Sequence, residues 1–172
     1  MEYVRIPQRR IGVLIGSDGA TRKEFEEATG CVLEIDSQTG IVHVTIPEGG
    51  DALLGLQLLS VVRAIGRGFS PEAARDLLDP ETYLVVVDIR DHTGHSRRRL
   101  ERMRGRIIGR GGRTRRIIEE QSGAQVAVQG RTVSILGSLA AIEAAQISVG
   151  MLLGGAEHGS VYQYLEGHRR RR

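Results

Sequence analysis

Residues 104–116 read RGRIIGRGGRTRR, a stretch with six arginines, four glycines and no acidic residue. This composition fits a disordered arginine–glycine segment, a phosphate-binding loop of a nucleotide enzyme, or some other folded element. Periodic apolar residues frame the stretch on both sides, which argues against disorder. A second copy of its glycine pattern near the N-terminus helps to decide between the other two.

The chain contains an internal duplication in which the same residue types recur 93 positions later. The shared core is I-G-x-x-G between two helical segments, and the second of these helices ends at a glycine. Glycines that recur at the same turns indicate two copies of one structural unit. The identical pairs are Gly12 and Gly105, Ile15 and Ile108, Gly16 and Gly109, Gly19 and Gly112, Thr21 and Thr114, Arg22 and Arg115, and Gly30 and Gly123.

Hydrophobic periodicity predicts the order β-α-α-β-β-α in each copy. The first copy has expected strands at 3–7, 31–36 and 41–46, and expected helices at 8–15, 20–29 and 52–66. The second has expected strands at 83–90, 124–129 and 131–136, and expected helices at 97–108, 114–121 and 138–153. We therefore expect an α+β fold with a first domain at 1–68, a helical connector at 69–82, a second domain at 83–155 and a basic C-terminal tail at 156–172.

The composition favours a globular cytoplasmic protein. Hydrophobic residues make up 40% of the chain, enough for a packed core. Cys31 is the only cysteine, which excludes an intrachain disulfide and a cysteine-based zinc site. No apolar run approaches the roughly 20 residues of a membrane span, and the N-terminus lacks the pattern of a signal peptide.

Charge is divided unevenly along the chain. Residues 1–85 carry 8 basic and 13 acidic residues, a net charge of −5, whereas residues 86–172 carry 16 and 8, a net charge of +8. A basic C-terminal half favours contact with a polyanion.

The repeated I-G-x-x-G resembles the loop of the KH domain, a module that binds single-stranded nucleic acid, and the β-α-α-β-β-α order resembles its type I form. The resemblance implies two three-stranded sheets, each packed on three helices. Glycine permits a sharp turn and a close approach of the RNA backbone, and the helix that follows offers its N–H groups to phosphate. A nucleotide-binding P-loop needs a lysine that is missing here, a Rossmann loop needs a third spaced glycine, and 3% aromatic residues disfavour base-stacking platforms.

The two loops supply the candidate RNA-binding residues. Because Asp18 would present a negative charge to phosphate and the next helix carries Glu24, Glu26 and Glu27, we expect the second domain to be the main RNA reader. The first would bind weakly, orient another strand segment or serve a protein partner. The candidates are Arg106, Ile107, Ile108, Gly109, Arg110, Gly111, Gly112, Arg113, Arg115 and Arg116 in the second copy and Gly16, Ser17, Asp18 and Gly19 in the first. Ile107, Ile108, Ile117, Val126 and Val128 fit either an aliphatic groove for bases or the core beside it.

Over its whole length the chain resembles the archaeal two-KH ribosome-biogenesis proteins, counterparts of the eukaryotic small-subunit assembly factor called partner of Nob. The resemblance rests on the tandem arrangement and on the segments GFSPEAARDLL, RMRGRIIGRGGRTRRIIEEQSGA and HGSVYQYLE. It implies binding of single-stranded small-subunit rRNA near its 3′ end, where a separate PIN-domain endonuclease, Nob, processes the precursor. It also implies an interaction with the alpha subunit of translation initiation factor 2.

The alternatives to this function are an enzyme and a subunit of another RNA complex. The acidic residues are scattered, so we expect no enzyme activity, no catalytic residue, no cofactor and no metal site; His92 and His95 near Asp91 are read as a polar surface loop. A KH subunit or scaffold of another RNA complex, such as the exosome or a translation regulator, stays open as the alternative.

Overall fold

The computed structural model describes residues 2–171, so Met1 and Arg172, the outer ends of the first domain and the tail expected from the sequence, lie outside it. Within these residues six strands form two three-stranded antiparallel sheets. The chain divides after Pro80 into two compact units, with one sheet in each. The predicted α+β class is confirmed.

The first unit follows the predicted order. Its elements are β1 (Glu2–Arg5), α1 (Gln8–Ile15), a 3-10 turn (Ser17–Gly19), α2 (Ala20–Thr29), β2 (Val32–Ile35), β3 (Ile41–Thr45), α3 (Ala52–Gly66) and α4 (Pro71–Arg75). The sheet order is β1-β3-β2. Val42 on the central strand pairs with Val4 on one side and Ile35 on the other and is fully buried.

The second unit repeats this architecture and extends it. Its elements are β4 (Tyr83–Asp88), α5 (Arg90–Thr93), α6 (Arg97–Ile108), a 3-10 turn (Arg110–Gly112), α7 (Arg113–Ser122), β5 (Gln125–Gln129), β6 (Thr132–Gly137), α8 (Leu139–Leu153) and α9 (His158–Arg170). The sheet order is β4-β6-β5, the same as in the first unit. The predicted type I KH arrangement is therefore confirmed for both copies.

The core of the second unit lies between its sheet and its helices. Ile135 on the central strand pairs with Val85 and Val126 and is fully buried together with Ile107 and Ile118 from the two helices around the loop. Burying a side chain of this size stabilises the fold by about 1.5–3 kcal/mol. Because α6 and α7 are both anchored in this core, the loop between them has a fixed position.

Polar side chains cap the N-termini of three helices. Asp51 accepts a hydrogen bond from the Leu53 N–H at the start of α3, and Ser70 precedes Pro71 and accepts one from the Ala73 N–H at the start of α4. In the second unit Ser138 does the same for α8, accepting from the Ala141 N–H.

The structure differs from the sequence expectation after residue 155. Instead of a basic tail, residues 158–170 form α9, which packs on α7 and α8. Val161 and Leu165 are fully buried in the core of the second unit. Their i, i+4 spacing is the signal that marks an amphipathic helix here, and the arginine-rich end obscures it.

Residues 69–82, expected as a connector, also pack within a unit. Helix α4 contacts α3, and Ala74 and Leu77 are buried. Residues 69–80 therefore belong to the first compact unit, and residues 81–82 to the second. No helix between residues 2 and 171 is long and apolar enough to cross a membrane.

Candidate nucleic-acid interface

The loop Gly109–Gly112 connects α6 to α7 in a conformation that depends on glycine. Gly109 ends α6 at φ 74° and ψ 173°, and its N–H donates to the Gly105 carbonyl over 2.8 Å. Gly111 and Gly112 follow in the left-handed region with φ of 60° and 77°. An L side chain rarely adopts these angles, so the glycines fix the abrupt change of direction.

Gly109 also lies against the first turn of α7. A Cβ atom on Gly109 would collide with the side chain and the backbone nitrogen of Thr114. Thr114 is itself buried, with its hydroxyl 3.0 Å from the Tyr162 hydroxyl. Nothing of this kind restricts Gly111 and Gly112, where a Cβ would meet no atom within 4 Å. One end of the loop is therefore packed tightly and the other is open to a ligand.

The first loop has the same backbone geometry. Gly16 has φ 74° and Gly19 φ 76°, and Asp18 between them has φ 53° and ψ 27°, close to the φ 60° and ψ 23° of Gly111. Asp18 is the only non-glycine residue with positive φ in the described chain. Ser17 and Asp18 are exposed. The two loops thus differ in charge and not in shape.

Helix α7 presents its N-terminus beside the second loop. Gly112 occupies the N-cap position, and no side chain caps the helix. The first N–H groups of a helix lack intrahelical partners and carry a partial positive charge, which makes this end a site for anions.

The arginines of the second copy divide into two groups. Arg110, Arg113 and Arg116 are exposed around the loop, and Arg116 donates to the Gly111 carbonyl over 3.1 Å. Arg115 pairs with Glu119 at 3.1 Å, and Arg106 donates to the carbonyl oxygens of Leu152, over 2.6 Å, and Ala156. The guanidinium groups of Arg115 and Arg106 are therefore bonded to other groups of the protein.

Arg106 has a counterpart in the first unit that residue alignment does not reveal. Arg10 donates to the carbonyl oxygens of Ile65 and Phe69, each over 2.7 Å, as Arg106 does at the end of α8. Burial, and secondarily the charge of Arg9, lowers the pKa of the Arg10 guanidinium. In both units an arginine on the helix before the loop (α1 or α6) binds carbonyls at or just beyond the C-terminal end of the long helix that follows the sheet (α3 or α8), a favourable place for a cation. This differs from the RNA contact expected for Arg106.

In both units a glutamate on the helix after the loop (α2 or α7) accepts a hydrogen bond from the adjacent strand. Glu119 Oε1 accepts the N–H of Val126 over 2.9 Å while its other oxygen pairs with Arg115. Glu26 likewise accepts the N–H of Leu33 over 2.7 Å and pairs with Arg22. The sequence reasoning missed this pair, although Glu26 and Glu119 are separated by the same 93 positions.

Two of the three glutamates on α2 have cationic partners, which reduces the repulsion of RNA expected from this helix. Glu24 forms an ion pair with Arg75, and Glu26 is paired with Arg22. Of the three glutamates expected to repel RNA, two are thus partly neutralised within the fold. Asp18 remains as the negative charge inside the first loop.

The apolar candidates also separate. Ile107 is fully buried and Val126 is 3% exposed, so both belong to the core, and the RNA contact expected for Ile107 is corrected to a packing role. Ile108, Ile117 and Val128 are half-buried at the end of α6, on α7 and on β5. These three side chains are the ones that bases could reach.

Comparison with known families agrees with this geometry. Residues 83–170 match the model of the eukaryotic type KH-domain (KH-domain type I), and residues 1–50 match the KH domain model. The chain is 40% identical over 171 residues to a KH domain-containing protein of Methanocaldococcus jannaschii, a match that covers 99% of this chain and 75% of the relative.

Two further relatives have more specific names. The chain is similar to a protein in the crystal structure of the a/eIF2alpha-aDim2p-rRNA complex from Pyrococcus horikoshii, with a TM-score of 0.93 and 48% identity over 99% of this chain and 94% of the other. It is also 36% identical over 103 residues to the pre-rRNA-processing protein pno1 of Emericella nidulans. That match covers 59% of this chain and 40% of the fungal protein.

Proposed function

The chain belongs to the Dim2/Pno1 family of type I KH-domain proteins, and from this we propose that it binds single-stranded small-subunit rRNA near its 3′ end and assists processing of that RNA by a separate endonuclease. The second KH domain is the main RNA reader in this proposal. Its contacts are Gly109–Gly112 with Arg110, Arg113 and Arg116, and the half-buried Ile108 faces the bases.

One observation carries the proposal: the uncapped N-terminus of α7 lies beside an open glycine loop that exposed arginines surround. No atom lies within 4 Å of the place where a Cβ of Gly111 or Gly112 would stand, so a phosphate has room to approach the backbone there. It would accept hydrogen bonds from the first N–H groups of α7 and pair with the guanidinium groups. In KH domains such a loop clamps about four nucleotides of backbone.

Specificity would come from the other side of the loop. Ile108, Ile117 and Val128 are partly exposed apolar side chains on α6, on α7 and on β5, the strand that contacts α7. Bases that turn away from the clamped backbone would pack on them, which requires unpaired RNA because stacked duplex bases are not accessible.

The proposed partners follow from the relatives. The Pyrococcus horikoshii relative was crystallised with a/eIF2alpha and rRNA, and the fungal relative is named a pre-rRNA-processing protein. We extend these interactions to this chain and place it in the cytoplasm, where it presents the precursor to the PIN-domain endonuclease Nob. Cleavage is then the work of the partner, and this chain contributes binding and positioning.

A tiled binding experiment tests this function. Overlapping single-stranded RNAs of about eight nucleotides, twice the length that a KH loop clamps, cover small-subunit rRNA including its 3′ region, and their affinity is measured by fluorescence anisotropy. The expected result is tightest binding by 3′-terminal tiles and faster or more accurate cleavage of precursor by Nob when the chain is present. Equal affinity for all tiles together with no effect on cleavage would contradict the proposal.

A further inference from the structure

A depression beside the second loop has a wall that lies outside the β-α-α-β-β-α unit. It has a volume of about 520 Å³ and lies between α6, the loop and α9. Arg102 and Gly105 contribute from α6, Arg110 and Arg113 from the loop region, and Tyr162 from α9.

The charged residues that line the depression are all arginines. Arg102, Arg110 and Arg113 are exposed, and no acidic residue of the described chain lines the depression. Arg102 forms no ion pair within the described residues, unlike Arg97 on the same helix, which pairs with Glu101. Three unneutralised guanidinium groups around one concave surface favour a ligand with several negative charges.

Two rings from α9 complete the surface. His158 and Tyr162 are half-buried, with ring centroids 6.2 Å apart and an interplanar angle of 56°. His158 is held by a 2.9 Å hydrogen bond between Nε2 and the Arg106 carbonyl, and Tyr162 by its contact with Thr114. Fixed rings beside arginines provide the apolar and hydrogen-bonding contacts that a ribose or a base uses in single-stranded RNA.

We propose that this depression binds the nucleotide that directly flanks the four clamped by the loop, with its phosphate on Arg102 and its sugar or base against Tyr162 and His158. This inference rests on the proposed RNA-binding function and deepens it, because it makes α9 part of the RNA surface. The second domain would then grip a longer strand than a KH loop alone.

The first unit supplies a natural comparison. Arg9 occupies the position that corresponds to Arg102, 93 residues earlier, and it is also exposed. The helix that follows α3 in the first unit, α4, packs on α3, whereas α9 packs on α7 as well as α8. Arg9 therefore has the charge of Arg102 without the wall that α9 provides.

The test compares two RNA lengths with the 172-residue chain. A four-nucleotide RNA fills the loop alone, and an RNA of about eight nucleotides from the best-binding tile extends beyond it. Arg102→Glu should lower the affinity for the longer RNA by about fivefold and reduce the slope of log affinity against log salt by about 0.7. The affinity for the four-nucleotide RNA, measured by NMR titration, should change no more than in the controls.

Two reversals of the same charge serve as controls. Arg9→Glu changes the matching position of the first unit, and Arg169→Glu changes an exposed arginine eleven residues beyond His158 on α9, about 16 Å along the helix. Neither should distinguish the two RNA lengths. An equal loss for both lengths in Arg102→Glu, or no loss at all, would overturn the proposed subsite.

A loop variant separates this outcome from failure of the parent proposal. Arg110→Asp with Gly111→Asp should lower the affinity for both RNA lengths by more than about tenfold. If it does so while Arg102→Glu behaves like the controls, the loop function stands and the flanking subsite is wrong. If the loop variant binds both lengths normally, RNA binding by the loop itself is wrong.

Discussion

The hydroxyl oxygen of Tyr162 on α9 lies 3.0 Å from Oγ1 of Thr114 on the first turn of α7. Thr114 is 2% exposed and stands directly against Gly109, so this hydrogen bond supports the end of the loop where packing is tightest. Thr21 occupies the same place in the first unit, where no tyrosine meets it among the described residues. An element outside the repeated unit therefore supports only the second loop.

Tyr162→Phe tests this support. The substitution removes the partner of a buried hydroxyl, so the free energy of unfolding of the second unit should fall by about 1 kcal/mol. Tyr164→Phe, two residues further on the same helix, should change it less because the Tyr164 hydroxyl has no hydrogen-bond partner within residues 2–171. Urea unfolding measures both variants, and equal losses would show that the Thr114 contact contributes nothing particular.

The loop glycines should differ in their tolerance of a side chain. Gly109→Ala forces a Cβ into Thr114 at φ 74°, so we expect a loss of at least about 2 kcal/mol. Gly111→Ala meets open space and carries only the left-handed backbone penalty, about 1 kcal/mol. Thermal unfolding ranks the two variants; a larger loss for Gly111→Ala would contradict the loop geometry described above.

Substitutions of the exposed loop arginines should change RNA binding, whereas substitution of Arg106 should change stability. Arg110→Gln and Arg113→Gln each remove an exposed charge at the loop, so each should lower the salt slope of RNA binding by about 0.7 and leave stability unchanged. Arg106→Gln loses hydrogen bonds to two carbonyls, which should cost about 2 kcal/mol of stability with little change in the salt slope. Anisotropy titrations at several salt concentrations and unfolding curves provide both numbers. A salt-slope change in Arg106→Gln as large as that in Arg110→Gln would restore Arg106 as a phosphate contact.

Asp18 allows a test of RNA binding by the first domain. Asp18→Asn removes the negative charge and keeps a residue type that tolerates positive φ, so stability should change little. With the second loop disabled, this variant should bind RNA severalfold more tightly than its parent because a phosphate no longer meets an acid. Ser17→Asn, at the neighbouring exposed position, provides a control without a charge change. Unchanged affinity in Asp18→Asn would mean that the first loop does not meet RNA.

The recurring glycines and the hydrophobic periodicity around them together predict the fold. Gly16, Gly19 and Gly30 stand at the same turns as Gly109, Gly112 and Gly123, and periodicity around them placed the strands and long helices within a few residues. Backbone conformations that only glycine adopts readily leave a direct trace in the sequence.

The tertiary hydrogen-bond partners of polar side chains could not be predicted from the sequence. Arg106 looks like any arginine near the loop, and only the folded position of α8 brings two carbonyl oxygens within its reach. Arg10 also donates to two carbonyl oxygens, but its position does not align with that of Arg106. The duplication therefore could not reveal this role of the two arginines. For α9, Val161 and Leu165 gave a short helical pattern beside a run of arginines, too little to predict a packed helix.

The most direct test of the account is RNA binding by the variant that combines Arg110→Asp with Gly111→Asp. Asp18 already occupies the equivalent of Gly111 in the first loop at φ 53°, so the fold should accept the change. We predict an unfolding transition within about 1 kcal/mol of the parent and an affinity for 3′-terminal rRNA that falls by more than about tenfold. An intact fold with unchanged affinity would contradict the claim that this loop binds RNA.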